Sequence, residues 1–566
     1  MKKLVILIFL LVVPTVLAQG NHMTLLAVQE LDGVLKGSEA DLFVELNEGE
    51  SRVFLETYPL TRMDTQISTR FAKDIACSFF DLDCSENDFI YTIRADSNII
   101  GGPSAGAAIA ALTAITVLDL NYEEDITITG TINSGGVIGP VGGVKEKIEA
   151  AAENSIRTVL IAQGTMITNE TNLQTYGESL GITVKEVADL NDVLFHMTGK
   201  TLKQTKQIPD NPQYESIMQN LQNDLCVRTI ELHQTVNEFN VSDEEREEIQ
   251  RQLNQSDSAV DEQNYYAAAS FCFGTNVYLK GLWYEKKNLT ESEQKEKIDS
   301  VKKNVQVIEQ NVLSEPIQTI ADLQTSIIVA ERLDDVRNQL ETFNESENVA
   351  QSLAYTEERL FSALSWMTFF TMPGKEFVLN DEILERSCRR KIQESEERFQ
   401  YVTLVLGGLL ERQDTREKID DAKASLETDR FNLCLIQASE AKADSNLILS
   451  SISVPRENID QFVQTKLDAT KRVIAENSEE GIFPIIGFSY LNYADALQES
   501  EPMSSLLFAE YALELSDMDI YFTAPRTKVS FKKPSPFGEG FAMGVILTVL
   551  VVLILHKTRG KNHKDL

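Results

Sequence analysis

The chain has 566 residues, 52 Lys+Arg against 87 Asp+Glu, and a formal net charge of −35. So acidic a chain repels phosphate backbones, which excludes a nucleic-acid binder that works by neutralising phosphates. Its 43% hydrophobic content supports packed cores and excludes a disordered tail, and its length allows about three to five domains, or one domain with a long repeat array.

At the N-terminus, MKKLVILIFLLVVPTVLAQG sets Lys2 and Lys3 before a short apolar run, with Val16 and Ala18 at the third and first positions before a small-residue cleavage site. This predicts a secretory signal peptide over 1–18, with an uncleaved anchor as the alternative. Residues 22–200 alternate at Ala40–Glu45, Ser51–Tyr58, Asp88–Arg94 and Asp125–Ile132, which predicts strands. Helical periodicity runs over Thr65–Phe79, Ser104–Leu118 and Val144–Asn154, so the segment reads as an α/β domain. Glycine and small residues concentrate at 101–108 and 130–143.

From about 210 to 520 the pattern is all-α. Ile317, Ile320, Leu323, Ile327, Ala330, Leu333, Val336 and Leu340 recur at three- or four-residue steps behind Ser314-Glu-Pro316, which reads as a helix start. Ser242-x-x-Glu245 and Thr290-x-x-Glu293 match capping boxes, and charged faces such as Asp243 to Arg251 read as solvated surface. Cys226 to Cys272 and Cys388 to Cys434 are both 46 residues apart. The shift that superposes the pairs also aligns Cys226-Val-Arg228-Thr-Ile230 with Cys388-Arg-Arg390-Lys-Ile392. This predicts a duplicated helical unit, 210–370 and 371–520. In an oxidising compartment the economical pairing is Cys226–Cys272, Cys388–Cys434 and, by remainder, Cys77–Cys84, against the alternative of buried free thiols.

A linker over 521–536 precedes Phe537 to Leu555, which is apolar apart from Glu539 and can just cross a bilayer core of about 30 Å as one transmembrane helix. Lys557, Arg559, Lys561 and Lys564 in the 556–566 tail suit a cytoplasmic end. Arg526, Lys528, Lys532 and Lys533 flank the other side, so orientation rests on the signal peptide. The expected place is the cell membrane, spanned once, with most of the chain extracytoplasmic. Sequons headed by Asn169, Asn240, Asn254, Asn288 and Asn344 fit export.

Taken alone, Gly101-Gly102-Pro103-Ser104-Ala105-Gly106 is a loop entering a helix, with Ser104 near the N-cap. The functional reading is a serine nucleophile beside helix N–H groups able to hold an oxyanion. A serine hydroxyl needs a base. His22, His196 and His233 stand in no pattern with Ser104, which disfavours a Ser-His-Asp site and leaves a lysine neutralised by desolvation. An exposed lysine is uncharged in only about one molecule in two thousand at pH 7. The stretch Thr129 to Lys147 predicts a strand end, a glycine-rich hairpin and a helix from Val144. Lys145 and Lys147 fall on opposite sides of that helix, and periodicity leaves open which is buried.

GGPSAG, the downstream ITGTI, and GPVGGVKEKIEAAAENSIRTVLIAQG resemble the proteolytic domain of the Lon family of Ser-Lys peptidases, over about residues 40 to 197. The motifs stand in the family's order and spacing. The resemblance implies Ser104 as nucleophile, Lys147 as base and Thr129 as the lysine's hydrogen-bond partner, with Gly101 and Gly102 in support. Two departures bear on activation and substrate preference. Gly101 stands where the family commonly has an acidic residue, and Ile90 and Thr92 stand where histidines are often found. No G-x-x-x-x-G-K-[S/T] phosphate loop occurs, so the family's ATP-driven module is missing from this chain. The expected function is an ATP-independent, membrane-anchored serine endopeptidase cutting unfolded or flexible polypeptides, with no metal, cofactor, ATP or nucleic acid. A hexameric ring is implied by resemblance only, and the acidic charge opposes it at low salt. The alternatives are a catalytically silent Lon-like scaffold whose helices bind protein partners, and a protein that only processes itself.

Overall fold

In a computed structural model the described residues are 20–522, except 32–33, 59–62, 96–102, 169–170, 205–206, 344–347, 407–412, 452–453, 455–457 and 519–521. The expected signal peptide, transmembrane segment and basic tail lie outside them, as do the 521–536 linker apart from Phe522, and Gly101, Gly102, Asn169 and Asn344. Among the described residues no helix is long and apolar enough to cross a membrane.

Strands β1 (Asn21–Leu31), β2 (Val34–Glu48), β3 (Val53–Tyr58) and β4 (Asn87–Ala95) form one sheet in the order β1-β2-β4-β3. β1 and β4 run antiparallel to β2, and β3 runs parallel to β4. Alternation sets the buried face of β4: Phe89, Tyr91, Ile93 and Ala95 all point inward. Helix α1 (Met63–Phe79) crosses between β3 and β4. Helix α2 (Gly106–Val117) is buried throughout Gly106 to Ile115, which its run of Gly and Ala permits, since small side chains let neighbours approach on every side. The Tyr91 hydroxyl, 2.8 Å from Thr113 Oγ1, ties it to the sheet.

The chain continues through β5 (Ile126–Ile128), the hairpin β6 (Thr131–Ile132) and β7 (Ile138–Gly139), and helix α3 (Val144–Glu153). It then forms β8 (Thr158–Ala162), the small hairpin β9 (Ile167–Thr168) and β10 (Thr171–Asn172), α4 (Leu173–Ser179), β11 (Thr183–Val187) and α5 (Leu190–Thr198). A parallel sheet joins β11, β8 and β5 in that order. The single strand expected over Asp125–Ile132 is therefore two. Thr129 N–H still donates to Leu160 O in the sheet at 3.0 Å, but Gly130 N–H donates instead to Ser104 O at 3.1 Å, and there the chain leaves the sheet.

The all-α region comprises α6 (Pro212–Val236), α7 (Asp243–Asp261), α8 (Tyr265–Lys287), α9 (Glu291–Ser314), α10 (Ile320–Thr342) and α11 (Val349–Trp366). Then follow α12 (Asp381–Leu406), α13 (Gln413–Glu427), α14 (Phe431–Ser451), α15 (Ile459–Glu479), α16 (Ile485–Leu497) and α17 (Pro502–Ser516). Cys226–Cys272 joins α6 to α8 and Cys388–Cys434 joins α12 to α14, with Cα atoms 5.2 and 5.8 Å apart. Cys77–Cys84 closes the end of α1. All three expected pairings form, and each half of the array carries its disulfide between its first and third helices.

Both expected capping boxes cap their helices. The start read at Ser314-Glu-Pro316 falls elsewhere. Ser314 ends α9, and α10 starts behind Thr319, whose hydroxyl accepts from Asp322 N–H at 3.0 Å while the Asp322 carboxylate accepts from Thr319 N–H at 2.9 Å. This reciprocal pair satisfies two otherwise orphaned donors, which the Ser-Glu-Pro sequence does not. The residues up to Phe522 form one compact unit, with the array packed on the α/β part.

Candidate active site

The turn bearing Ser104, Pro103–Ala105, is a single 3-10 turn ahead of α2. Ala105 occupies the N-cap and no side chain caps the helix, so the plain capping reading of Ser104 does not hold. Its hydroxyl is half-buried and, among the described residues, makes no hydrogen bond. The backbone around it is fixed by the segment between β5 and β6: Gly130 N–H donates to Ser104 O and Ala107 N–H donates to Gly130 O, both at 3.1 Å.

Lys147 enters from α3. Gly143 starts that helix at φ 67°, a left-handed conformation in which a side chain would also meet Val28. Lys147 is only 3% exposed, and its Nζ donates to Thr129 Oγ1 at 3.0 Å; Thr129 is 1% exposed. Burial pulls the amine down to about 8, with Glu146 acting weakly in the opposite sense. At that value about one molecule in ten carries a neutral amine at pH 7. Lys145, by contrast, is exposed with its amine 5.0 Å from the Tyr176 ring centre, which settles the choice that periodicity left open.

Thr129 and Lys147 are thus brought together, and the Ser104 backbone is joined to Gly130, the residue after Thr129. A direct hydrogen bond between the Ser104 hydroxyl and the Lys147 amine is not formed. Such bonds are commonly long in the absence of substrate and tighten when it binds. His22 is engaged with Asp41 at 2.7 Å.

Between Thr129 and Lys147 lies the β6–β7 hairpin, whose tip Ser134–Gly136 is held by the helical array. Lys466 (α15) and Glu510 (α17) are fully buried and paired at 2.6 Å. Ser134 Oγ donates to Glu510 at 2.5 Å, and Lys466 Nζ donates to Ser134 Oγ at 2.9 Å and to Ser134 O at 3.2 Å. Arg472 (α15) donates to Gly135 O and to Asp189, both at 2.5 Å, with its guanidinium 4.4 Å from the Phe79 ring centre. At Gly136, φ 74°, any Cβ would run into that same ring. Val137, fully buried, belongs to the apolar core of the array. Lys466, Arg472 and Glu510 carry no sequence motif, and their contacts with the hairpin span more than three hundred residues. Nothing local signals them.

A buried lysine beside a threonine, backbone-linked to a serine at a helix entrance, is a geometry suited to acyl transfer. Residues 95–199 match the Lon protease (S16) C-terminal proteolytic domain. The chain is 28% identical over 172 residues to a Lon protease of Methanosphaera stadtmanae, covering 30% of this chain and 21% of that protein. It is 45% identical over 60 residues to Lon protease 1 of Hydrogenovibrio crunogenus, covering 11% and 7%. It is 32% identical over 87 residues to an archaeal Lon protease of Methanocaldococcus jannaschii, covering 15% and 13%. This chain carries a Lon-family proteolytic domain, and its matches span about a fifth or less of these relatives.

Proposed function

We propose that the protein is an ATP-independent serine endopeptidase, anchored by 537–555 and working outside the cytoplasm. The observation that carries this reading is the Lys147 amine, buried, without an ion-pair partner among the described residues and hydrogen-bonded to Thr129. Ser104 Oγ attacks the peptide carbonyl, and neutral Lys147 takes its proton and passes it to the leaving amine. Water then hydrolyses the acyl-enzyme with the same lysine as base. Thr129 orients the amine. The Ser104 N–H and the neighbouring glycine stretch at 101–102 are the oxyanion donors. Without an unfolding module, substrates are loops, termini or unfolded chains. Three disulfides favour an oxidising compartment, in line with the signal peptide and membrane segment read from the sequence.

The test is the full chain in detergent micelles, without ATP, acting on an unfolded protein substrate. Wild type is expected to cut it, and Ser104→Ala or Lys147→Ala to lower turnover by roughly a thousandfold or more. Equal cleavage by wild type and both variants, or none by any of them, would overturn the reading, and the latter result would favour a scaffold.

A further inference from the structure

We propose that Lys466, Glu510 and Arg472 of the helical array are positioning residues for hydrolysis: they hold the hairpin tip Ser134–Gly136 and, through the hairpin, the turn that carries Ser104. The inference rests on the peptidase reading above and deepens it. Its starting observation is that the tip of a hairpin in the proteolytic domain is bonded to the array by side chains. The Ser134 hydroxyl and carbonyl and the Gly135 carbonyl all accept bonds from Lys466 and Arg472 of α15, and the Ser134 hydroxyl donates to Glu510 of α17. The tip is buried against the array as well, since Val137 joins its core and Gly135 packs on Ala469 and Leu513.

The hold reaches the serine by a continuous path. From the tip, Asn133 N–H donates to Val137 O at 2.9 Å, closing the loop onto the paired residues Ile132–Ile138 and Thr131–Gly139. The hairpin base then presents Gly130, whose N–H and carbonyl bond Ser104 O and Ala107 N–H. Gly106, the first residue of α2, lies against Ile132. On the other side Thr129, next to Gly130, receives the Lys147 amine. Both groups of the dyad therefore lean on one hairpin whose free end is gripped from outside the domain.

A purely adhesive contact would not need this chemistry. Two fully buried charges are costly to desolvate, and apolar residues of similar volume join surfaces at least as well. What directed polar bonds add is a fixed orientation for a three-residue turn with two left-handed glycines, Gly135 and Gly136. Displacing reacting groups by about 1 Å can cost about a hundredfold in rate, so such a hold bears on turnover more than on substrate affinity.

The experiment uses the full-length protein carrying Ser134→Ala with Arg472→Met, which removes the bonds of the Ser134 hydroxyl and of the Arg472 guanidinium and leaves in place the buried Lys466–Glu510 pair and the Lys466 bond to the carbonyl of residue 134. Three readouts are taken: kcat and KM on an unfolded protein, hydrogen-exchange protection of 104–107 and 130–139, and exchange of α10 as a control. The expected result is a kcat about tenfold or more below wild type, KM within about twofold, faster exchange at 104–107, unchanged exchange in α10, and partial recovery of kcat when Arg472→Lys replaces Arg472→Met. Wild-type kcat together with wild-type exchange at 104–107 would overturn the inference, as would a loss confined to KM. If the double variant does not fold, Ser134→Ala alone, which removes one hydroxyl, is read by the same criteria. If wild type itself shows no hydrolysis, the peptidase reading fails, and the exchange readout still decides whether the array holds the serine turn.

Discussion

Lys147 in the proteolytic domain and Lys391 in the helical array are both almost wholly buried, at 3% and 2% exposure, and their surroundings send them in opposite directions. At Lys147 burial is opposed only weakly, by Glu146, and the amine falls to about 8. At Lys391 burial also works against the charge, but Glu514 at 3.0 Å and Glu394 outweigh it, and the amine stays charged with its pKa raised. The same side chain loses its proton more easily in one region and stays a charged cross-link in the other. What separates them is a carboxylate within reach, not depth.

The largest effect that sharpens this contrast is on stability. Glu514→Ala would take from buried Lys391 and half-buried Lys442 the carboxylate each meets at 3.0 Å, leaving Glu394 to face both, and is expected to cost ~3 kcal/mol in denaturant unfolding at neutral pH. Lys147→Met is expected to do the reverse, stabilising the protein by ~3 kcal/mol at pH 6 because it removes a charge that the folded state solvates poorly. The sign follows from a folded value near 8 beneath an unfolded value near 10.5: the penalty is fully present below 8, shrinks as pH rises from there, and is gone above about 10.5. Unfolding curves for wild type and variant at pH 6 and pH 10.5 measure it. Thr129→Val, which keeps the shape and removes the hydrogen bond, is expected to lower kcat about tenfold while leaving KM nearly unchanged. The smallest effect is at Glu146→Gln, where losing the opposing charge lowers the Lys147 pKa further and moves the acid limb of kcat/KM slightly downward in pH. An upward move would contradict the account of what surrounds the amine.

Much of the proteolytic domain was legible because its signals are local. Alternation in β4, the helical run of α1 and the glycine cluster before Lys147 each lie within a short window. The disulfides were legible for a different reason, since the repeat gave two of them the same spacing and left the third by remainder. The break at Thr129–Gly130 was not, because an alternating apolar segment does not reveal that one amide turns aside to Ser104. Burial of Lys147 rather than Lys145 needed the resemblance or the fold, as both positions satisfy the helix period. The hairpin clamp was wholly hidden. Lys466 looks like any charge in a polar helix, Glu510 is a carboxylate in an apolar one with nothing to name its partner, and charged faces generally read as surface, as Asp243 to Arg251 largely are. Only the three-dimensional arrangement brings α15 and α17 to the tip of a loop in another region.

The central claim, a lysine kept dry enough to act as base for Ser104, is tested most directly by the pH dependence of covalent labelling of Ser104 by a fluorophosphonate. The account predicts a rate that rises with pH through a midpoint near 8 and collapses in Lys147→Ala. A midpoint near that of an ordinary exposed lysine, or labelling equally fast without the lysine, would contradict it.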